Sequence, residues 1–386
     1  MKRILYLAIP IAASAAPCAA PAQSAAHQAV ISEYATPTQA SSPQGVDIAR
    51  DGSVWYSETA AGKIAVLHPD KTSREFPLPN GGQPFILKAG ADGIWFTDSA
   101  TKAIGHLDPK SGKVVEYAIP SGASPFFIQI AADGSKWFSE TAGVGRLSPG
   151  GTITEWSVTL EHDDDNIEQL SLDPFGNVWF AERNFDGGGA AGTNDVRRLN
   201  PRTNVISTYQ VPTFGGNPAG VLANADGTVW VSEYYANAIA LLIPALAAHS
   251  DAVAVPNRLP SSPQVASISP AVSGPAQGTD TPVSPSANTA QPSRSQGWTE
   301  YPIPTADAEA EDMRVDRRGQ LWFEEDKGLL GRLDPWTARF TEYAIPSPDS
   351  GYYNIVLDRK TDRLWFTEAG VFAPVSTKIG YLDARH

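Results

Sequence analysis

The sequence has one cysteine, Cys18, among 386 residues. A chain with a single cysteine forms no internal disulfide, so buried side chains have to stabilise its fold. Basic residues are also few, since 29 Lys and Arg stand against 42 Asp and Glu, and the formal net charge is −13. A negatively charged protein is repelled by nucleic acid and by anionic lipid. We therefore expect no nucleic acid among its partners.

Long hydrophobic runs are absent as well, which argues against insertion into a membrane. The most apolar segment, residues 1–22, begins with Lys2 and Arg3 and ends with the small residues of "APA" at 20–22. This pattern is typical of a secretory signal peptide that is cut after Ala22, a cut that would also remove Cys18. We expect a monomer in the periplasm or outside the cell.

A tryptophan recurs along the chain and opens a short motif such as "WFTD" or "WFSE". The spacing between the first four is 40 or 42 residues, and all seven are Trp55, Trp95, Trp137, Trp179, Trp230, Trp322 and Trp365. Each repeat contains four strand-like segments, a to d, and the motif is strand b. A repeat of this length predicts an all-β fold, a seven-bladed β-propeller with four-stranded blades, whose core contains the Trp and Phe rings.

The last repeat ends after its strand c, "KIGYLD", whereas "ISEYATP" at 31–37 matches strand d of the other repeats. We predict that this N-terminal strand pairs into the last blade and closes the ring, which leaves no free edge at the seam. The propeller then comprises residues 23–386. Its fifth repeat carries an insertion, residues 245–297, rich in Pro, Ser, Ala and Gly. Because this composition buries little apolar surface, we predict a disordered loop there.

An acid ends strand b in every repeat. In a propeller these ends lie on one face around the central opening, which we call the mouth face. The acids are Glu58, Asp98, Glu140, Glu182, Glu233, Glu325 and Glu368. Either each acid is bonded within its own blade or to a base, or some of them hold a ligand. Repetition in all blades favours the first interpretation, because a ligand site needs only a few special blades.

The units "IWFTDSATKAIGHLDPKSGKVVEYAIP" and "LWFEEDKGLLGRLDPWTARFTEYAIP" resemble the virginiamycin B lyase (streptogramin lyase) family. This resemblance implies the seven-bladed fold. It also implies a lyase that opens a cyclic depsipeptide antibiotic by elimination at its ester, with a histidine as base and Mg²⁺ held by glutamates.

In that family the key histidines lie at the start of strand a in blades six and seven. The matching positions of the seven blades here are Gln44, Phe85, Phe126, Glu168, Ala219, Glu311 and Tyr353. None is a histidine, so the resemblance gives Glu311 and Tyr353 as catalytic candidates. With these residues in place of the histidines, we expect the protein with Mg²⁺ to open a streptogramin B ring very slowly or not at all. A metal-binding glutamate of the family falls on Gly351, and the candidates for Mg²⁺ are Glu325 and Glu368.

One histidine falls in a connection expected on the mouth face. His162 lies in "TLEHDDDNIEQL", just before strand a of blade four. It is a third catalytic candidate, and the alternative is an ordinary solvated histidine. The following b-to-c connection, "ERNFDGGGAAGTND", is long and rich in glycine, which indicates either a lid or a tolerated insertion.

The candidate ligand-binding residues combine aromatic and polar side chains around the opening. They are Gln44, Phe85, Phe126, Glu168, Tyr234 and Tyr235. Such a mouth suits a small molecule or a cyclic peptide. Three functions remain open: a lyase of this family, a non-enzymatic binding or scaffold propeller, and a metal-dependent hydrolase of the lactonase type.

Overall fold

The computed structural model describes residues 29–162, 165–184, 194–261, 263–347, 352–369 and 377–383. The predicted signal peptide, residues 1–22, lies outside them. Within the described residues the chain forms seven antiparallel sheets and two short 3₁₀ turns, Thr59–Ala61 and Pro79–Gly81. No helix of this part of the chain is both long and apolar enough to span a bilayer.

Each sheet is one blade of a seven-bladed propeller, and strands a to d follow one another from the centre outwards. Strand a is Pro43–Ile48, Pro84–Ala89, Pro125–Ile130, Asp165–Leu172, Pro218–Ala223, Ala310–Val315 and Tyr352–Asp358 in blades one to seven. Strand b is Val54–Glu58, Ile94–Asp98, Lys136–Glu140, Val178–Asn184, Val229–Glu233, Leu321–Glu325 and Arg363–Glu368. Strand c is Lys63–Leu67, Ala103–Asp108, Gly143–Leu147, Asp195–Asn200, Ala238–Leu242, Leu329–Asp334 and Lys378–Asp383. Strand d is Thr72–Pro77, Lys113–Ala118, Thr152–Ser157, Val205–Gln210, Trp298–Pro302, Arg339–Ala344 and Ala29–Ala35.

The predicted closure of the ring is confirmed. Strand d of blade seven is the N-terminal strand Ala29–Ala35, which pairs antiparallel with strand c, Lys378–Asp383. Ile31 is fully buried in the core between blades six and seven, and Tyr34 is buried in the core between blades seven and one. The two ends of the chain therefore meet in one sheet.

The prediction of disorder for residues 245–297 is wrong. This segment forms seven short strands that run once around the propeller and add a fifth strand, e, to every blade. In chain order these strands are Ser250–Val253, Pro256–Pro260, Pro263–Ser267, Ala271–Pro275, Gly278–Val283, Ser286–Thr289 and Ser293–Ser295, on blades four, three, two, one, seven, six and five. We call residues 247–296 the belt.

The belt is ordered by backbone pairing rather than by burial. Nearly all of its strand residues are exposed, as their composition predicted. Strand d of each blade, however, presents a row of unpaired backbone groups, and any extended segment can bond to such an edge. A prediction based on apolar composition therefore missed these strands.

The hydrophobic core consists of seven clusters, one between each pair of neighbouring blades. The strand-b tryptophan of one blade packs against the strand-b aromatic residue of the next, as Trp55 does against Phe96, except that blade five offers Val231 to Trp179. The small residue between Trp and the acid has a separate role. Its hydroxyl donates a hydrogen bond to a strand-a carbonyl of the following blade in five cases: Ser57 to Phe85, Thr97 to Phe126, Ser139 to Glu168, Ser232 to Glu311 and Thr367 to Gln44. Blades four and six differ, with Ala181 and Glu324 there.

Candidate functional site

The acids that end strand b are scaffold in most blades. In five blades the nearest acid is a strand-d glutamate of the same blade, and the pairs are Glu58 with Glu75, Glu140 with Glu155, Glu233 with Glu300, Glu325 with Glu342 and Glu368 with Glu33. Burial, and then the neighbouring carboxylate, raise the pKa of these strand-b acids to about 8, or about 9 for Glu233. Each pair therefore retains a proton at neutral pH.

A small residue of strand c lets the two acids meet. In blade three a side chain on Gly145 would collide with both Phe138 and Glu140, and Gly331 has the same surroundings in blade six. Blade four is the exception, because Arg197 of strand c and Thr208 of strand d replace the small residue and the second acid. Arg197 Nη2 lies 2.6 Å from Glu182 Oε2. In blade four a buried arginine thus occupies the place of the second acid.

Blade four also projects further onto the mouth face. Its strand a begins at Asp165 and its strand b continues to Asn184, so both run past their counterparts in other blades. The Asn184 side-chain amide donates to Asp165 Oδ1 at 2.8 Å. Asn217 of blade five donates to the Asn184 carbonyl at 3.0 Å. These bonds fix Asp165 at the boundary with blade five.

Asp165 orients His162. Its Oδ2 atom lies 3.2 Å from His162 Nδ1 and accepts the His162 backbone N–H at 2.7 Å. The Asp165 side chain is fully buried, whereas 41% of the His162 side chain is exposed. A carboxylate that fixes one ring nitrogen of an exposed imidazole is the arrangement used for general base catalysis. The neighbouring Asp163 and Asp164 lie outside the described residues, as does 185–193 of the predicted lid.

A second group of side chains connects blades four, five and six around Arg183. Arg183 Nη1 lies 2.7 Å from Glu168 Oε2 and 2.5 Å from Glu311 Oε1. Its guanidinium covers the Tyr234 ring at 4.2 Å from the centroid. The Tyr234 hydroxyl in turn donates to Asp326 Oδ2 at 2.8 Å. Five residues of three blades, three of them predicted and two newly found, are thus held in one network.

Burial governs the charges of this network. It raises the pKa of Glu311 well above the usual range, against the opposing effect of Arg183. It also raises the pKa of Asp326 to about 6, while the Tyr234 hydroxyl lowers it. Asp326 is only partly buried. The network therefore offers the mouth one accessible carboxyl group that changes its charge near neutral pH.

The other predicted ligand residues are divided between two regions. Tyr235 is partly buried and packs edge-on against Tyr234, with 5.3 Å between ring centroids. Phe85 and Phe126 form a T-shaped pair in blades two and three at 6.3 Å. Gln44 accepts the Thr367 hydroxyl with its backbone carbonyl in blade one. Tyr353 lies in strand a of blade seven, and Gly351 lies outside the described residues.

The two candidates for Mg²⁺ do not fit that ion. Mg²⁺ takes charged carboxylates together with waters in a tight octahedron. Glu325 and Glu368 lie in different blades, are buried, and have a pKa raised to about 8, first by burial and then by the glutamates beside them. Among the described residues no group of three or more His, Cys, Asp or Glu side chains is arranged to hold a metal. Glu325 and Glu368 therefore do not fit the Mg²⁺ site that the resemblance to the family implies.

Sequence reasoning missed Arg183, Asp326 and the orienting role of Asp165. A signal for the first two was present in the repeats. Strand b departs from its Ser or Thr at Ala181 in blade four and at Glu324 in blade six, and Arg183 and Asp326 each follow two residues after such a departure. Positions at which a repeat breaks its own pattern therefore mark this site.

Comparison with known proteins agrees with the fold. The model of the virginiamycin B lyase family matches residues 25–247. The virginiamycin B lyase of Nocardia farcinica (strain IFM 10152) is 34% identical over 196 residues, which are 50% of this chain and 63% of that relative. The structure of virginiamycin B lyase from Staphylococcus aureus aligns with a TM-score of 0.68 and 22% identity, over 92% of this chain and 98% of that chain. A catalytically inactive variant of the same Staphylococcus aureus protein, solved with quinupristin, aligns with the same score.

Proposed function

Because the chain belongs to the virginiamycin B lyase family, we propose that it is a lyase that opens a cyclic peptide ester by elimination at the mouth face. His162 is the base of this reaction, since the two histidine positions of the family are Glu311 and Tyr353 here. One observation carries the proposal: a fully buried carboxylate orients an exposed imidazole on the mouth face.

The geometry suits removal of a proton from carbon. In the elimination, a C–H bond and the neighbouring C–O bond break, a C=C bond forms, and the ester oxygen leaves as a carboxylate. Asp165 accepts the hydrogen of His162 Nδ1, so Nε2 is the nitrogen that takes the proton. Asp165 then stabilises the imidazolium that forms.

Blades five and six supply the binding contacts in this proposal. Tyr235 and Asp326 are both partly buried and keep surface for a ligand. An aromatic ring beside a carboxyl group suits a cyclic peptide that has both apolar and polar parts. Arg183 and Tyr234 hold these groups in place from below. The more distant Phe85, Phe126 and Gln44 remain predicted ligand contacts.

The first prediction concerns His162. With a streptogramin B as probe, His162→Ala should lower the rate of ring opening about 10²- to 10⁴-fold, because a positioned acid–base group typically contributes that much. Asp165→Asn should lower the rate of the folded protein as well and change the acid limb of the pH–rate profile. It should also lower Tm, because the amide cannot accept all the hydrogen bonds that the buried carboxylate accepts. Product masses equal to the substrate mass would distinguish elimination from hydrolysis.

His68→Gln is the matched control, because His68 is a partly buried histidine bonded to Ser53 in blade one. Wild-type turnover that survives His162→Ala would place the base elsewhere. Binding of the probe without any turnover would favour the second candidate, a non-enzymatic binding propeller. Calorimetry with the probe then decides whether Asp326→Asn weakens that binding.

Export is part of the proposal. The support is the charged start, apolar middle and small-residue end of residues 1–22. Cell fractionation and the N-terminal sequence of the purified protein test it, and a protein found in the cytoplasm with Met1 in place would contradict it.

A further inference from the structure

The belt consists of seven short segments that resemble one another. They are "AAHSDAV", "AVPNRLP", "SSPQVAS", "ISPAVSGP", "AQGTDTP", "VSPSANT" and "AQPSRSQ", with seven residues in all but the fourth. Each segment starts with a small or aliphatic residue, and five have proline in the third position. The number of segments equals the number of blades.

The first residue of each segment lies at a boundary between two blades. Ala247, Val283 and Ala290 are buried there, and Ala254, Ile268 and Ala276 pack against the core clusters from the outside. Ser261 donates its hydroxyl to the Ala118 carbonyl of blade two. Six boundaries are thus occupied by an apolar residue, and Ser261 takes the equivalent place beside blade two. The repeated segment is therefore one boundary residue followed by one strand e.

Backbone bonds fix the belt again at the turns between strands c and d. The N–H groups of Ala254, Ile268, Ala276 and Ala290 donate to turn carbonyls at 2.8 Å in blades four, two, one and six. Only two or three residues then separate one strand e from the next. The belt consequently has little slack between blades.

The belt leaves and re-enters the propeller at the same point. The Ile243 N–H donates to the Gly297 carbonyl at 2.7 Å, and a side chain on Gly297 would collide with Ala247. Residues 248–296 thus make one full turn around the ring. A much shorter segment would be enough to connect strand c to strand d of blade five.

We propose that the belt is a strap that holds the ring of blades closed, with one segment per blade and a length matched to seven blades. Two neighbouring blades can separate only after the belt has been peeled from at least one of them. Prolines in its strands, such as Pro260 and Pro282, lack an N–H and make the outer edge a poor template for further strands. The strap serves an exported chain that has no disulfide to close its ring.

The test uses the exposed linker Ser284–Pro285 between blades seven and six. A protease recognition sequence inserted there lengthens the belt, and a longer loop changes stability little. The uncut insertion variant should unfold in denaturant within about twofold of the wild-type rate. Cutting the same folded molecules should raise the unfolding rate at least tenfold. Equal rates before and after cutting would overturn the proposal.

Deletion of Ser284 and Pro285 tests the matched length. Without this linker the two neighbouring strands cannot reach both blades, so hydrogen exchange should show lost protection in Gly278–Val283 or Ser286–Thr289. The belt strands on blades one to four should keep theirs. Full protection of both neighbouring strands after the deletion would show that the length is not matched. Neither measurement depends on the proposed lyase activity.

Discussion

At the residue scale, the repeated acid of strand b explains how a buried carboxyl group can be kept in every blade. An isolated buried carboxylate is costly, and the group avoids this cost by keeping its proton. Glu140 has a pKa raised to about 8, mainly by burial and then by Glu155. The end of strand b that lies on the mouth face thus contains an acid pair that is neutral or carries a single charge. In most blades this pair supports the fold rather than a ligand site.

The pH dependence of stability follows from these pairs. The folded protein keeps the proton of Glu140 up to about pH 8, whereas the unfolded chain releases it near pH 4.5. The folded state binds more protons between these values, so the free energy of unfolding falls as the pH rises through this window. Glu140→Gln mimics the protonated acid. Its Tm should match wild type at pH 4.5 and exceed it at pH 9.

The control for this prediction is Asp307→Asn, which neutralises an exposed acid. Its Tm should follow the wild-type curve at both pH values. Scanning calorimetry provides the measurement. If Glu140→Gln and wild type lose stability in parallel between pH 4.5 and pH 9, Glu140 is not the group that holds the proton.

At the element scale, blade four shows that the acid pair and the small residue of strand c form one unit. Arg197 stands where other blades have Gly or Ala, and Thr208 stands where they have Glu. The two changes compensate each other, because the guanidinium of Arg197 occupies the place beside Glu182 that a second carboxyl group occupies in the other blades. Burial raises the pKa of Glu182 to about 8, and Arg197 lowers it.

Arg197→Gly should therefore destabilise the protein by about 1–3 kcal/mol, the usual cost of leaving buried polar groups without a partner. Glu182, Asp195 and the Thr159 carbonyl would all lose the guanidinium. Adding Thr208→Glu should recover most of that loss, because the double variant has the acid pair of the other blades. Urea denaturation at pH 6 measures both effects. A single variant as stable as wild type, or a double variant less stable than the single one, would contradict the compensation.

The elements that repeat were predictable from sequence, and the contacts between unlike elements were not. The tryptophan spacing and the strand "ISEYATP" gave the seven blades and their closure. His162, Glu168, Tyr234 and Glu311 followed from their positions in the repeat. Arg183 was missed because its partners lie on two other strands, and which strands meet around a side chain is not contained in a local pattern. The belt was missed because its order depends on edges supplied by distant strands.

At the scale of the whole molecule, two segments close the ring in different ways. The N-terminal strand completes blade seven from inside the sheet, between Lys378–Asp383 and the belt strand Gly278–Val283. The belt closes the ring from outside. Both act across the seam at which the chain ends would otherwise separate.

A chain that begins at Thr36 should expose both of those strand edges and lose the buried Ile31 and Tyr34. Burial of one such side chain contributes about 1.5–3 kcal/mol, so Tm should fall by about 10 °C or more, or the protein should aggregate. A chain that begins at Ala29 is the control and should melt like the mature protein. Equal melting of the two truncated chains would show that the strand does not close the ring.

The agreement between seven belt segments and seven blades also has a genetic consequence. Propellers can gain or lose a blade when one repeat of the gene is duplicated or deleted. In this chain such an event would leave the belt one segment too short or too long, because all seven segments are encoded together within the fifth repeat and are not copied with the other blades. A change of blade number would thus require two independent events in separate parts of the gene. We expect homologues that carry the belt to retain seven blades, and those without it to vary more freely.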